Sequence, residues 1–497
     1  MSARMRILYL AAEAAPFVKV GGLADVAGSL PWALRALPEK LVGPSGPDVR
    51  LAIPFHSQID DQAYDFTPVA AFQVPHAGGA IPARVFEVDW KGVRVYLVDG
   101  PPFEGKQPLY SSDATRDGLK YTFFSLAMLE LIRILNWVPD VLHVNDWHTA
   151  PAVYAVALNR LHRTFYSEMA TLITVHSLPY LGQGAQSALE AFGLPPDFRR
   201  VLPGWANQLP LPLGLLTADH ITTVSPTYAK QILTPEFGAG LEDFLKAWRE
   251  RLTGILNGID TALWDPATDE HIDVNYSLEN IENRTENKLA LQAKLRFEQD
   301  PDIPLLSFIG RMDHQKGVDV ILQALPMIAN LPWQAVILGT GDKELEKGVR
   351  DLAASYPDKV KAVLRYDEAL AHRIYAGADA IMIPSRYEPC GLIQMIAMRY
   401  GCIPVANATG GLKDTIKDYK SARSGTGFLF DAPTPEALAE ALHKALDVFA
   451  NQRRWRSLQR RAMREDFSWK GPAAEYYRLY QTLVQTRSGT HQMEIGI

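Results

Sequence analysis

The sequence predicts an α/β protein made of two doubly wound domains that face each other across a cleft. Two observations carry this. At 497 residues the chain exceeds what one hydrophobic core supports and fits two domains of ordinary size. Short runs dense in Val, Ile and Leu alternate with helix-length segments over most of its length, the signature of parallel sheets covered on both faces. Ligands of open α/β sheets bind beyond the carboxyl ends of the strands, so the chemistry is expected in strand-to-helix loops.

In order, the strand runs of the first half are Ile7–Ala11, Val49–Pro54, Val93–Val98, Val141–Val144, Thr171–Val175 and His220–Val224. Those of the second are Pro304–Ile309, Gln334–Leu338, Val360–Leu364, Ala380–Ile383, Ile403–Ala406 and Gly427–Phe430. Between Asn257 and Asp300 the chain is polar, rich in Asn and Glu, and without strand signal, so it reads as the join. The predicted domains are 1–257 and 258–468, the latter opening with a linker at 258–300. A terminal segment 469–497 carries Tyr476, Tyr477, Leu479, Tyr480 and Leu483 at near-helical spacing. That stripe predicts an amphipathic helix needing a surface to cover, with a frayed tail from Arg487.

Composition narrows the function classes. Apolar residues make up 47% and charged residues 21%, with a net charge of −6, the usual mixture of a soluble globular protein. Nothing here points to nucleic acid or to a membrane as partner. The apolar start Ile7–Ala12 is far shorter than the ~20 residues of a membrane span and no cleavage pattern follows it, which predicts a cytoplasmic protein. Cys390 and Cys402, the only cysteines, predict two free thiols rather than a disulfide framework.

Three loops carry chemistry. Glu13 to Val26, after the first strand, places Lys19 beside the pair Gly21-Gly22 at a helix start, where bare amides and a full charge suit an anion; the alternative is a tight turn with a surface lysine. Gly310-Arg311-Met312-Asp313-His314-Gln315-Lys316-Gly317 sets Arg311 and Lys316 at a strand's carboxyl end, a fork and a point charge that suit a diphosphate. The bland alternative is two solvated charges. Pro384 to Leu392 places Glu388 between a strand and a helix, where a carboxylate accepts hydrogen bonds from sugar hydroxyls or merely stabilises the helix dipole. The amides of Gly391 and Leu392 would point at phosphate. Thr409-Gly410-Gly411 is a second glycine pair, while Asp146 in Asn145-Asp146-Trp147-His148 and His176 follow two strands of the first half. Asp300-Pro301-Asp302 precedes a strand and reads as a turn, so no metal and no cofactor is expected; Arg311, Lys316 and backbone amides would neutralise leaving-group charge instead.

Taken in order, these motifs resemble bacterial glycogen synthases and plant starch synthases over Ile7 to about Tyr480. Lys19-Val20-Gly21-Gly22-Leu23-Ala24-Asp25-Val26 is similar to the family's K-T-G-G-L-A-D-V. Thr223 to Ala229, Gly254 to Asp260 (with Asn257) and Ser385 to Leu392 followed by Gln394 are similarly close. The resemblance implies the GT-B fold, with two Rossmann-like domains, and a retaining glucosyltransferase of glycosyltransferase family 5. ADP-glucose would be its commonest donor (or UDP-glucose) and the non-reducing end of an α-1,4-glucan its acceptor. By the same resemblance Glu388, Arg311, Lys316, His176 and Asp146 would be catalytic. Lys19, Gly21, Gly22, Asp25, Asn257, Cys390, Gly391, Leu392, Thr409, Gly410 and Gly411 would bind the donor. Tyr366, in Tyr366-Asp367-Glu368, would stack on its base, and the terminal helix would cross back onto the N-terminal domain.

Four departures from the family pattern stand out: Val20 for Thr, Asn145 for His, His176-Ser177-Leu178 for H-N-x, and Gln208-Leu209-Pro210-Leu211-Pro212-Leu213-Gly214 for N-F-L-K-x-G. The last loses a lysine and gains two prolines on the acceptor side. A related transferase with another donor or a small acceptor, and a glucan-binding protein with reduced turnover, are the alternatives these departures keep open.

Overall fold

The computed structural model describes residues 4–160, 164–420 and 423–495. They form two compact units, one comprising residues 1–258 and 469–497 and the other 259–468.

The first unit is built on a nine-stranded sheet. Its strands are β1 (Arg6–Leu10), β2 (Asp48–Pro54), β3 (Thr67–Val74), β4 (Ile81–Trp90), β5 (Val93–Asp99), β6 (Val141–Asn145), β7 (Ala170–Val175), β8 (His220–Thr223) and β9 (Leu252–Gly254). They lie in the order β3-β4-β5-β2-β1-β6-β7-β8-β9, parallel from β5 to β9. β3 and β4 add an antiparallel edge. That edge departs from the all-parallel expectation. Most residues of its strands are exposed or half-buried, because this edge meets water, and so they carry no continuous apolar run. β1 and β6 are neighbours although β2 to β5 lie between them in sequence, so the chain reverses direction of winding between them.

The second unit holds β10 (Leu305–Ile309), β11 (Gln334–Leu338), β12 (Val360–Val363), β13 (Ala380–Ile383), β14 (Ile403–Asn407) and β15 (Phe428–Phe430). All are parallel, in the order β12-β11-β10-β13-β14-β15. The winding reverses between β10 and β13. In each unit the reversal opens a crevice at the carboxyl ends of two adjacent strands, where loops leave toward opposite faces.

Two expectations are corrected. Residues 258–300 are not a bare linker. Trp264, Tyr276 and Ile281 are buried in the second unit, and Arg284–Lys294 is a helix. The Trp264 ring stacks on His372 at 4.2 Å, and Asp269 accepts from His372 Nδ1 at 2.7 Å and from the Tyr400 hydroxyl at 2.6 Å. The apolar residues here are too scattered to read as an element, yet each finds a place against the sheet's helices. Nor does the helix stop at Arg487, where a frayed tail was expected. The last helix runs Lys470–Ile495, and Arg487 Nε donates to the Ser167 carbonyl at 3.0 Å.

That helix belongs to the first unit. Ala473, Tyr476, Tyr477, Tyr480 and Leu483 are buried in one cluster with Ile7, Tyr9 and Leu172. The Tyr480 hydroxyl meets His143 Nδ1 at 2.6 Å, and the other ring nitrogen meets Thr174. Cys390 and Cys402 are both buried, and neither is in a disulfide. Among the described residues no helix is long and apolar enough to cross a membrane.

Candidate active-site loops

In the first unit the loops leaving β1 and β6 converge on buried acids. Glu13 is 1% exposed and accepts from the amides of Val20 (2.5 Å) and Gly21 (3.1 Å) and from the Tyr110 hydroxyl (3.0 Å). Burial pushes its carboxyl up despite these donors. The glycine loop is therefore folded around an internal carboxylate, and the Gly21 amide, expected to face an anion, is already engaged. Lys19 Nζ pairs with Asp25 at 2.7 Å, so its charge is partly balanced within its own loop. Glu13 was not singled out from sequence; its place six residues before Lys19 has meaning only once the loop is closed.

Asp146 follows β6 with φ of 53°, a left-handed conformation that costs a non-glycine residue about 1 kcal/mol or more and is kept only where the surroundings enforce it. Here its carboxylate accepts from the amides of His176 (2.7 Å) and Ser177 (3.4 Å). Burial pushes Asp146 up to about 7. Asn145 Nδ2 donates to the Leu10 carbonyl, which leaves its Oδ1 to accept from the Tyr9 hydroxyl (3.0 Å) and from His176 Nε2 (2.9 Å). The proton of His176 is thus on Nε2 and its Nδ1 carries a lone pair. Burial lowers this ring to about 3, so it is neutral near pH 7. Asn145, the departure from the family's histidine, is what fixes that tautomer. Asn257, also in this unit, is buried with its Oδ1 unsatisfied.

In the second unit the loops leaving β10 and β13 bring Lys316 and Glu388 together across 72 residues. Lys316 Nζ donates to both Glu388 oxygens, at 2.9 and 2.7 Å, and Ser385 Oγ adds a third bond at 2.9 Å. Glu388 is buried at 7% exposure. The pair was read from sequence as two separate ligand contacts, and the fold makes them one ion pair. Arg311 is placed differently. Its guanidinium is held by Asp313 and by Gln315 Oε1, and over half its side chain meets solvent.

The glycine pair after β14 closes on this loop. Gly410 has φ of 45°, and a Cβ on it would lie 1.9 Å from the Glu388 carbonyl oxygen. A Cβ on Gly411 would lie 2.0 Å from that of Cys390, and the Gly411 amide donates to the Glu388 carbonyl at 3.0 Å. Only bare backbone fits at this approach. Gln394, part of the sequence motif but given no role there, donates to the carbonyls of Cys390 and Gly391 and to Thr415, pinning the turn that holds Glu388. Leu392 caps the helix Ile393–Arg399, and Thr409 caps Gly410–Thr415. Tyr366, after β12, is 75% exposed.

The segment 208–214 is whole. Pro210 opens the helix Pro210–Thr217 and Pro212 follows within its first turn, where the missing N–H groups have no helical acceptor to lose. Leu211, Leu213 and Leu215 are buried.

Against known proteins, residues 6–247 match the family model described as starch synthase catalytic domain, and residues 292–461 match glycosyl transferases group 1. A glycogen synthase of Geotalea daltonii is 38% identical over 98% of this chain and 100% of its own length. The chain belongs to the glycogen synthase and starch synthase family. A glycogen synthase of Aromatoleum aromaticum is 40% identical over 96% of this chain and 97% of its own. The catalytic domain of starch synthase IV from Arabidopsis thaliana, solved bound to ADP and acarbose, superposes with a TM-score of 0.87 at 30% identity over 97% of this chain and 100% of that one. The family's fold class is GT-B, and the two parallel-sheet units described above are its Rossmann-like halves.

Proposed function

We propose that this chain transfers glucosyl units from ADP-glucose to the non-reducing end of an α-1,4-glucan, with retention at the anomeric carbon. Glucan lengthening by glucosyl transfer follows from family membership; the donor nucleotide, the stereochemistry and the residue roles are the proposal. The observation that carries it is the Lys316–Glu388 pair at the switch point of the second sheet, nested against glycines that admit no side chain. A lysine there suits the diphosphate, and a buried carboxylate suits glucose hydroxyls. The Arabidopsis relative solved with ADP and acarbose supports the same donor class.

In this reading the bond from glucose C1 to the β-phosphate oxygen breaks as the acceptor hydroxyl oxygen bonds to C1 from the same face. The acceptor's proton passes to the departing diphosphate. Lys316 and Arg311 neutralise the charge that grows on that diphosphate, the largest electrostatic demand of the step. Arg311 must leave Asp313 to do so. His176 accepts a sugar hydroxyl through Nδ1, and Asp146 sets the His176 backbone. The intact helix at Pro210–Thr217 supports turnover with a glucan acceptor, although the family lysine's charge is missing there.

Incubation with maltoheptaose and either ADP-glucose or UDP-glucose tests this, with product length read by mass spectrometry and anomeric configuration by NMR. A ladder of α-linked additions from ADP-glucose is expected. No extension with either donor would sink the proposal.

A further inference from the structure

The two loops that meet at Lys316 and Glu388 are fastened to each other by a second ion pair. Arg386 follows β13 and precedes Glu388 by two residues, and Asp319 stands in the first turn of the helix Val318–Met327. The guanidinium forks onto the carboxylate, Nη1 to Oδ1 at 2.9 Å and Nη2 to Oδ2 at 2.7 Å. Nη1 also donates to the His314 carbonyl at 2.7 Å. The hydrogen bonds from Arg386 hold Asp319 below the usual carboxylate range, which keeps it charged near pH 7.

The backbone reinforces this clamp. The Arg386 amide donates to the Gln315 carbonyl at 2.9 Å, and Gln315 Nε2 donates to the Tyr387 carbonyl at 3.3 Å. Gly317 has φ of 71°, and a Cβ on it would lie 2.3 Å from the Pro384 carbonyl oxygen, so the loops touch main chain to main chain. On the other side of β10 stands β11, whose following loop grips the same segment. The Met312 amide donates to the Thr340 carbonyl at 2.9 Å, and the Asp342 amide to the Met312 carbonyl at 2.7 Å.

Stability is a poor account of the fork. The Arg386 and Asp319 side chains are 39% and 23% exposed, and ion pairs so open to water add little to folding. What the fork fixes is geometry. A planar guanidinium spending three bonds takes one orientation, where an ammonium takes many. In the donor reading above, Lys316 meets the diphosphate and Glu388 the glucose hydroxyls. Those are two parts of one molecule, joined through the bond that breaks. Their binding groups must therefore match its span, and a misplacement of about 1 Å can cost on the order of a hundredfold in rate. ADP alone lacks the glucose and makes no such demand.

We propose that Arg386 is a positioning residue: by locking the loop of Lys316 to that of Glu388, it matches their spacing to an intact sugar nucleotide. The proposal rests on the donor reading.

Donor kinetics on glycogen with ADP-glucose and with UDP-glucose, ADP titration and amide hydrogen exchange test it in full-chain variants. Arg386→Gln and Asp319→Asn should each lose about tenfold or more in kcat/KM for the donor, while ADP affinity and the thermal midpoint stay near the parent's. Arg386→Lys, which keeps the charge and loses the fork, should lose nearly as much. The double variant Arg386→Gln/Asp319→Asn should lose little more than either alone, because both break one contact. Exchange in peptides covering 311–319 and 384–388 should quicken in Arg386→Gln, a readout that needs no turnover. A parent that extends no glucan with either donor sinks the donor reading, and exchange then still decides whether Arg386 locks the loops. Parent-like exchange in both peptides, parent-like kcat/KM in Arg386→Gln, or ADP affinity falling in step with kcat/KM would overturn the proposal.

Discussion

Lys316 and Glu388 should part company in a nucleotide-binding experiment, although the proposed mechanism gives both a part in turnover. Lys316 spends two hydrogen bonds, of 2.9 and 2.7 Å, on the Glu388 carboxylate. A diphosphate arriving at that ammonium must share it. Opposite charges about 4 Å apart attract by about 4 kcal/mol at an effective dielectric of 20. The side chains are 19% and 9% exposed, so much of that attraction offsets lost hydration, leaving about 1 kcal/mol net. Glu388→Gln removes the competing charge and keeps the size; ADP should then bind as well as before or about fivefold tighter. Lys316→Ala removes a charge-assisted bond of about 1.5–3 kcal/mol, weakening ADP by roughly 10- to 150-fold. Turnover should fall by about two orders of magnitude or more in both. Calorimetric titration with ADP at fixed ionic strength reads the first effect, and glucose incorporation into glycogen the second. If Glu388→Gln weakens ADP as much as Lys316→Ala does, the ion pair is not what holds the ammonium, and the reasoning fails.

The remaining predictions concern the scaffolding of the two crevices. Asp146, raised to about 7 by burial, favours the folded state most fully below pH ~4, and that contribution is lost as pH rises through about 7. Asp146→Asn keeps the acceptor for the His176 amide. Its thermal midpoint should therefore gain on the parent's between pH 4.5 and 7.5, by an increment worth up to about 4 kcal/mol; a constant gap across that range would contradict the assignment. Gly411→Ala drives a Cβ to 2.0 Å from a backbone oxygen, an overpacking of about 1–3 kcal/mol. Scanning calorimetry should show a lower midpoint and ADP titration a weakened complex; an unchanged midpoint together with unchanged ADP binding would refute the close approach.

The candidate site was legible in part, for reasons visible residue by residue. Lys19, Arg311, Lys316, Glu388 and the glycine pairs sit directly after apolar strand runs, so local pattern alone places them at a sheet edge. Glu13 escaped notice because its partners, Val20, Gly21 and Tyr110, are assembled only when the loop closes and the helix Ala114–Ile134 brings its preceding segment alongside. β3 and β4 escaped because mostly exposed or half-buried strands at a sheet edge carry no continuous apolar run. Residues 259–300 looked like a linker because burial there comes from single aromatic residues, such as Trp264 over His372, and not from a periodic face.

By itself the sequence determined the two α/β units, most of their strands, the loops that carry charge and glycine, and the family to which these belong. It could do so because strand hydrophobicity and glycine placement are local demands of the backbone. Pairing was decided only by the tertiary structure. Lys316 meets Glu388 because β10 and β13 are neighbours in the sheet, and His176 takes one tautomer because Asn145 reaches it from the neighbouring strand. Such partners lie tens of residues apart, and no local pattern records which strand will stand beside which.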